Sequence, residues 1–288
     1  MLANEPSRTA IGAAAHRATH QLIEGGALFN DPLAIPILGI PPEELRRIAD
    51  EEPRARGLRF FIAARSALAE AKLAEAVEER GVAQLVVLGA GLDTFAYRSP
   101  FGDRLAIFEL DHPATQAWKR QRLKAAGIDA PDFLSFVPVE LETTTLNDAL
   151  AQGGFDFGKR SFFMWLGTVP YLTHAAIVAT LETVGGLASG AEIVFDYAEP
   201  LAHDSSGADE RLRALSERVA AAGEPFVTFF EPPAVHALLK SAGLPRIEDY
   251  NVRALAEHFW GSEVVAERAR AGTPFPERGG HVLFASTG

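Results

Sequence analysis

The sequence predicts an α/β fold built on a doubly wound, mostly parallel sheet with helices on both faces. Three observations lead there. From residue 84 onward, short apolar runs at 84–88, 105–110, 134–139, 162–166, 193–196 and 281–285 alternate with helical patterns. The runs lack the polar alternation of a half-exposed strand, which marks strands covered on both faces, as in a parallel sheet sandwiched by helices. The first run ends in Gly89-Ala90-Gly91, and the second ends in Glu109-Leu110-Asp111, with Asp111 twenty residues beyond Gly91. A glycine turn after one strand and a carboxylate at the end of its neighbour belong to the carboxyl-end crevice of such a sheet, where ligands bind.

The elements follow in order. Residues 8–20 read as a helix, followed by a loop around Asn30-Asp31-Pro32 and a Pro-rich stretch to Pro42. Residues 60–80 form a helical pattern with Phe61, Leu68 and Val77 among its apolar positions and Gly81 as its stop. Further helices are expected to start near Pro113, Thr144, His174 and Pro232. Residues 200–225 break the alternation with a polar loop and a helix carrying Leu212, Leu215 and Val219 on one face. This segment is read either as a lid-like insertion or as an ordinary surface helix. The expected organisation is one domain over 1–288: a helical cap at 1–58, a core at 59–199 and 226–288, and the insertion at 200–225.

Composition narrows the function. The 288 residues are 48% hydrophobic and 23% charged, carry a net charge of −11, and include no cysteine. An acidic surface disfavours nucleic acid. Without cysteine there are no disulfides, thiolate nucleophiles or cysteine-ligated zinc. No stretch approaches the ~18 apolar residues of a membrane span. Met1 to Ala10 lacks the apolar core of a signal peptide. A cytoplasmic protein is the expectation.

The glycine turn reads as a nucleoside site. Glycines admit a ligand close to the backbone, and Asp111 can accept two ribose hydroxyls. Asp111 or His112 could instead cap the helix that starts at Pro113, and Glu109 could carry the ribose. The third glycine of G-x-G-x-x-G is absent, with Thr94 in its place. That glycine packs helix against strand under a pyrophosphate, so its loss points to a nucleoside without phosphates, such as S-adenosylmethionine. The run from Gly153 to Lys159 imitates a P-loop, but Arg160 stands where Ser or Thr would hold magnesium, and a strand follows it. It reads as a turn. His16 and His20 have the i, i+4 spacing of metal ligands, with no third ligand indicated, and are expected to be solvated.

The segment from Phe162 to Thr173 is the second conspicuous stretch, a buried strand ending at Gly167 with Thr173 as the next N-cap. Trp165 and Tyr171 either wall a pocket or belong to the core. Tyr171, His112 and His203 are candidate bases. Arg98 either binds a substrate carboxylate or makes a surface ion pair.

Leu88-Gly89-Ala90-Gly91-Leu92-Asp93-Thr94-Phe95-Ala96-Tyr97-Arg98 resembles the first motif of the leucine carboxyl methyltransferase-like family, a branch of the class I S-adenosylmethionine-dependent methyltransferases. Phe108-Glu109-Leu110-Asp111-His112-Pro113 is similar to its second motif, and Trp165-Leu166-Gly167 through Tyr171-Leu172-Thr173 to its fourth-strand motif. Gly223-Glu224-Pro225-Phe226 through Phe230 and Gly279-Gly280-His281 also resemble family segments. The resemblance implies a seven-stranded Rossmann-like sheet and an S-adenosylmethionine site. In that site Gly89, Ala90 and Gly91 line the cofactor, Asp111 binds the ribose, Glu140 and Leu141 flank the adenine, Arg65 meets the methionine carboxylate, and Leu166 lies beside it. Glu140 stands where the family commonly has Asp, and Leu166 where carboxyl methyltransferases proper carry Glu. The second departure puts protein carboxyl-terminal methylation in doubt.

The expectation is therefore O-methylation of a small-molecule carboxylate or hydroxyl. The rivals are a nicotinamide-dependent oxidoreductase and a non-catalytic binding protein on the same fold.

Overall fold

The computed structural model describes residues 7–52, 55–140, 142–200 and 207–288. Seven strands form one sheet in the order β3-β2-β1-β4-β5-β7-β6. They are β1 (Gln84–Leu88), β2 (Ala106–Asp111), β3 (Leu134–Pro138), β4 (Ser161–Trp165), β5 (Ala191–Ala198), β6 (Arg246–Asn251) and β7 (Gly280–Ser286). The first five pair in parallel, whereas β7 inserts antiparallel between β5 and β6. The strand order reverses at β1, with β2 and β3 on one side and β4 and β5 on the other, which puts the switch point, and hence the crevice, at the end of β1.

The central strands are apolar on both faces because both faces are covered. One face packs against α6 (Leu146–Gly153), α7 (His174–Gly185) and α9 (Pro232–Ser241) through Leu150, Leu181 and Leu239. The other packs against α4 (Arg56–Glu79) and α10 (Val252–Trp260) through Leu68, Leu73 and Leu255. A third cluster holds α1 (Arg8–Ile23), α2 (Ala34–Leu38) and α3 (Pro42–Glu51) against Leu123 of α5 (Pro113–Ala126) and against Leu92, next to the glycine turn. The helices of the chain's start thus cap the carboxyl end of the sheet.

Helix ends follow local chemistry. Ser7, His112, Thr145, Thr173 and Asn251 each accept an N–H of the first turn of their helix. The P-loop imitation leaves α6 through Gly154 in the left-handed conformation and turns into β4, with no helix to receive a phosphate.

Five elements, β6, α2, α3, α10 and α11, lie outside the sequence expectation. β6 reads Arg-Ile-Glu-Asp-Tyr-Asn, has no apolar run, and escapes a search for one, because it is an edge strand paired only to β7. The Pro-rich stretch folds into α2 and α3, with Pro42 at the first helical position of α3 where its missing N–H costs nothing. Two further helices, α10 and α11 (Ser262–Arg270), follow β6. The predicted amphipathic helix of the insertion is present as α8 (Gly207–Ala221), while the loop before it lies outside the described residues.

Candidate functional site

The Gly89-Ala90-Gly91 turn is built by the register of β1 on β2. Leu88 pairs with Leu110, so the next residues meet the end of β2: Gly89 N and Ala90 N both donate to Leu110 O, at 2.8 and 3.1 Å. Gly89 and Gly91 have φ of +65° and +47°, conformations that disfavour any side chain. Space forbids one as well: a Cβ on Gly89 would lie 2.3 Å from Thr168 Oγ1, and one on Gly91 3.2 Å from the methyl of Ala10 in α1.

No α-helix follows the turn. Phe95 N donates to Asp93 Oδ1 at 2.8 Å, and the chain enters a single 3-10 turn over Phe95–Tyr97. A dinucleotide turn places its pyrophosphate on a helix N-terminus, and this turn offers none.

Asp111 sits at the end of β2 with one carboxylate oxygen on each neighbour, Oδ2 accepting from Gly91 N at 2.5 Å and Oδ1 from His112 N at 2.7 Å. Burial raises its carboxyl above the ordinary value, and the two backbone N–H bonds oppose that rise. A carboxylate has about four lone-pair positions, so two hydroxyls can still be received. The cap of α5 falls to His112, whose Nδ1 accepts from Ala114 N at 3.2 Å. Its proton therefore resides on Nε2, 3.4 Å from Glu140 at the end of β3. This spends the lone pair a base would need. Glu109 is turned away into a fully buried ion pair with Lys119 at 2.7 Å.

On the other side of β1, Gly167 closes β4 with φ +72° and donates its N–H to Asp196 Oδ1 at 2.5 Å. Arg65 of α4 reaches the second oxygen of Asp196, at 2.7 Å, and both side chains are buried. The buried Nε–H of Arg65 has no acceptor among the described residues. Leu166 packs at the edge of the α4 cluster, beside this pair. Tyr171 lies in the 3-10 turn after β4, its ring 5.1 Å from Phe226. Burial pushes its phenol up to about 12, against the influence of Thr9 and Arg65. Trp165 is wholly buried among core aromatics, 6.2 Å from Phe195, and not at the crevice.

Arg98 makes an ion pair, as one of its two expectations had it, but away from the surface. It is part-buried, forms a two-pronged pair with Glu70, and donates to Thr94 Oγ1 at 3.1 Å. The expected solvation of His16 and His20 is also corrected. His20 is buried, and Phe29 N donates to its Nε2 at 3.3 Å. Burial, helped by Arg59, Arg218 and Arg65, lowers His16 to about 4. No group of metal-ligating side chains occurs among the described residues. Leu141 and His203 lie outside the described residues.

Sequence reasoning missed three carboxylates. Asp31 was read only as loop, yet it is fully buried and gathers Thr94 Oγ1 at 2.7 Å, Arg17 at 3.4 Å and Arg98 at 3.5 Å. Asp196 is hidden in a run of apolar residues, where its charge is the only signal. Glu224 was noted as a family-like residue without a role. Its carboxylate accepts from Arg8 N, Thr9 N, Ser7 Oγ and Thr9 Oγ1.

The fold and the site define a class: a doubly wound α/β protein with a glycine turn and a carboxylate facing each other at the switch point and no helix N-terminus beside them. The chain belongs to the leucine carboxyl methyltransferase family, whose model matches residues 10–185. Two bacterial relatives bear names of candidate S-adenosyl-L-methionine-dependent methyltransferases. One, from Bacillus subtilis (strain 168), is 38% identical over 168 residues, 57% of this chain and 54% of the relative. The other, from Mycolicibacterium paratuberculosis, is 33% identical over 226 residues, 73% of this chain and 69% of the relative. The chain thus spans about half the length of the first and two thirds of the second. Among solved structures, a candidate methyltransferase from Thermobifida fusca superposes with a TM-score of 0.58 at 14% identity, covering 98% of this chain and 95% of its own. A DUF574 family protein from Streptomyces avermitilis gives 0.56 at 13% identity, with 95% and 97% covered. These two likenesses establish the fold.

Proposed function

We propose that the chain is an S-adenosylmethionine-dependent methyltransferase that O-methylates a small-molecule acceptor. The observation that carries this reading is Asp111 facing the Gly89-Ala90-Gly91 turn with lone pairs to spare and no helix N-terminus beside it. That donor set suits a ribose without phosphates and leaves a nicotinamide dinucleotide unsupported. In this reading Asp111 holds the ribose, Gly89, Ala90 and Gly91 lie along the cofactor, Arg65 offers its unpaired Nε–H to a carboxylate, Leu166 lines that end, and Glu140 and Leu141 flank the base. The names of the relatives agree with it.

The bound cofactor would supply an activated methyl group and a neutral leaving group. The protein's own work is then to align the acceptor and exclude water. Of the base candidates, His112 has its Nδ1 lone pair in the α5 cap, and Tyr171 keeps its phenol protonated near neutrality. An acceptor already ionised needs no base, so a carboxylate fits this site better than an alcohol. Leu166, in place of the Glu of the carboxyl methyltransferases proper, argues for a small molecule over a protein carboxyl terminus. Arg98 drops out of substrate binding because its guanidinium is committed to Glu70. No described helix is long and apolar enough to cross a membrane. A cytoplasmic location and the division into cap, core and insertion complete the reading.

Isothermal titration with S-adenosylhomocysteine tests it. Micromolar binding, with no thermal shift from NAD, is the expected outcome. Absence of binding at millimolar ligand overturns it, and binding without methyl transfer to any of a panel of carboxylic acids and phenols would reduce it to a binding protein.

A further inference from the structure

The N-terminus of α1 is capped by groups from two distant parts of the chain. Ser7 is the N-cap, and its Oγ accepts from Ala10 N at 3.1 Å. The partner carboxylate of a capping box normally comes from the third helical residue, which here is Ala10. Thr115 takes the N-cap N–H instead, and Glu224, more than two hundred residues away, takes the N–H groups of the first two helical residues. Its Oε1 accepts from Arg8 N at 3.1 Å, and its Oε2 from Thr9 N at 3.0 Å, Thr9 Oγ1 at 2.5 Å and Ser7 Oγ at 3.1 Å.

The two partners of this contact are anchored unequally. The chain after Glu224 is tied to the loop that follows β4: Val227 N and Thr228 N donate to Pro170 O at 2.7 and 3.2 Å, and Thr228 Oγ1 to Leu172 O at 2.6 Å. Glu224 is therefore presented from the rigid wall of the crevice. The rest of α1 is held through buried Ala14 and Ala18 and through Arg17, which donates to Leu92 O. The first turn is held, besides Glu224, by Ser7 N on Thr115 Oγ1, at 3.2 Å, and by Thr9 beside Tyr171. Between the held and the capped part lies Gly12. A Cβ there would meet nothing within 4 Å, so packing does not require a glycine, and glycine weakens a helix interior by about 1 kcal/mol. The first turn is also what covers the cradle, since Ala10 sits over Gly91.

We propose that Glu224 is a latch, a positioning residue that holds the first turn of α1 closed over the cofactor turn, with Gly12 as the weak point about which that turn opens. The cofactor enters and leaves when the four bonds to Glu224 break. The latch thereby gates exchange of cofactor and product through a contact between the chain's start and its insertion. This rests on the reading that the cofactor lies along Gly89–Gly91.

Two measurements on the full chain test it. Hydrogen exchange on the free protein reads the first turn of α1 independently of any ligand. Stopped-flow binding of S-adenosylhomocysteine reads the gate. In Glu224→Ala, exchange at residues 9–12 should rise by about tenfold, and the association and dissociation rates should rise together by a similar factor, as expected for a lost cap worth about 1.4 kcal/mol. A merely structural defect would weaken affinity without speeding association. Gly12→Ala should move both rates the opposite way. If Glu224→Ala folds poorly, Glu224→Gln, which keeps one acceptor oxygen, should give an intermediate acceleration. Unchanged exchange, or unchanged association in a protein that binds the ligand, overturns the latch. Failure of the wild-type protein to bind the ligand at all overturns the cofactor reading, and the gate with it.

Discussion

Thr94 donates its hydroxyl to the buried carboxylate of Asp31 at 2.7 Å, across 63 residues of sequence. The position that a dinucleotide turn gives to glycine is thus used here to tie the loop before α2 to the segment after the Gly89–Gly91 turn. Asp31 also receives Leu33 N and faces Arg17 and Arg98, so one carboxylate joins α1, the loop before α2 and the segment after the turn.

Restoring the third glycine should therefore not restore a dinucleotide site. Thr94→Gly is expected to cost about 2 kcal/mol, through a lost buried hydrogen bond and added backbone freedom, and to confer no NAD binding. Asp31→Ala should cost more, about 3–5 kcal/mol, because it leaves the buried Arg17 guanidinium without its carboxylate and Thr94 without its acceptor. Denaturant titrations give the energies, and a thermal shift with NAD tests the specificity.

Asp111→Ala should weaken S-adenosylhomocysteine by about 10- to 100-fold, the loss expected for hydrogen bonds from ligand hydroxyls to a charged acceptor. Asp111→Asn keeps an oxygen for one N–H and should lose less. An unchanged dissociation constant in Asp111→Ala by calorimetry would remove Asp111 from the ribose role.

The Glu109–Lys119 pair, each side chain 1% exposed, joins β2 to α5. Lys119→Met should cost about 3–5 kcal/mol, since it abandons a buried carboxylate, and Glu109→Gln added to it should recover most of the loss. Burial pushes the Glu109 carboxyl up from 4.5, with Lys119 the main opposing influence. A carboxyl raised in the folded state contributes stability below its unfolded value and loses it as pH rises. The cost of Lys119→Met should accordingly be larger at pH 8 than at pH 5, as read by urea midpoints at the two values.

His16 provides an acid-side signature. Its imidazole is lowered from 6.5 to about 4 by burial and then by Arg59, Arg218 and Arg65. The unfolded chain takes up this proton at higher pH than the folded one, so its contribution is present above 6.5 and lost as pH falls toward 4, by at most about 3 kcal/mol. His16→Gln should flatten the stability profile over that window. An unaltered profile would mean that another group carries the acid sensitivity.

Much of the core was legible because its signals are local. The apolar runs of β1 and β4 announce strands covered on both faces, and His112 and Thr173 cap helices through atoms two or three residues away. The edge strand β6 was not legible, because its residues satisfy one neighbouring strand and the solvent, so polar side chains persist. Neither was the burial of Arg98. Its charge suggests a surface or a substrate, and only the folded chain brings Glu70 and Asp31 to it.

The sequence by itself determined the alternation of strand and helix, the glycine turn, the carboxylate at the end of β2 and the absence of a pyrophosphate seat. Periodicity, turn chemistry and strand register all act over a few residues or one strand crossover. Only the tertiary structure decided how the remaining charges are spent: Asp31 on Thr94, Asp196 on Arg65 at a separation of 131 residues, and Glu224 on Thr9 at 215. A buried carboxylate must find donors, and which donors it finds depends on where the closed fold brings distant segments together. No local pattern records that.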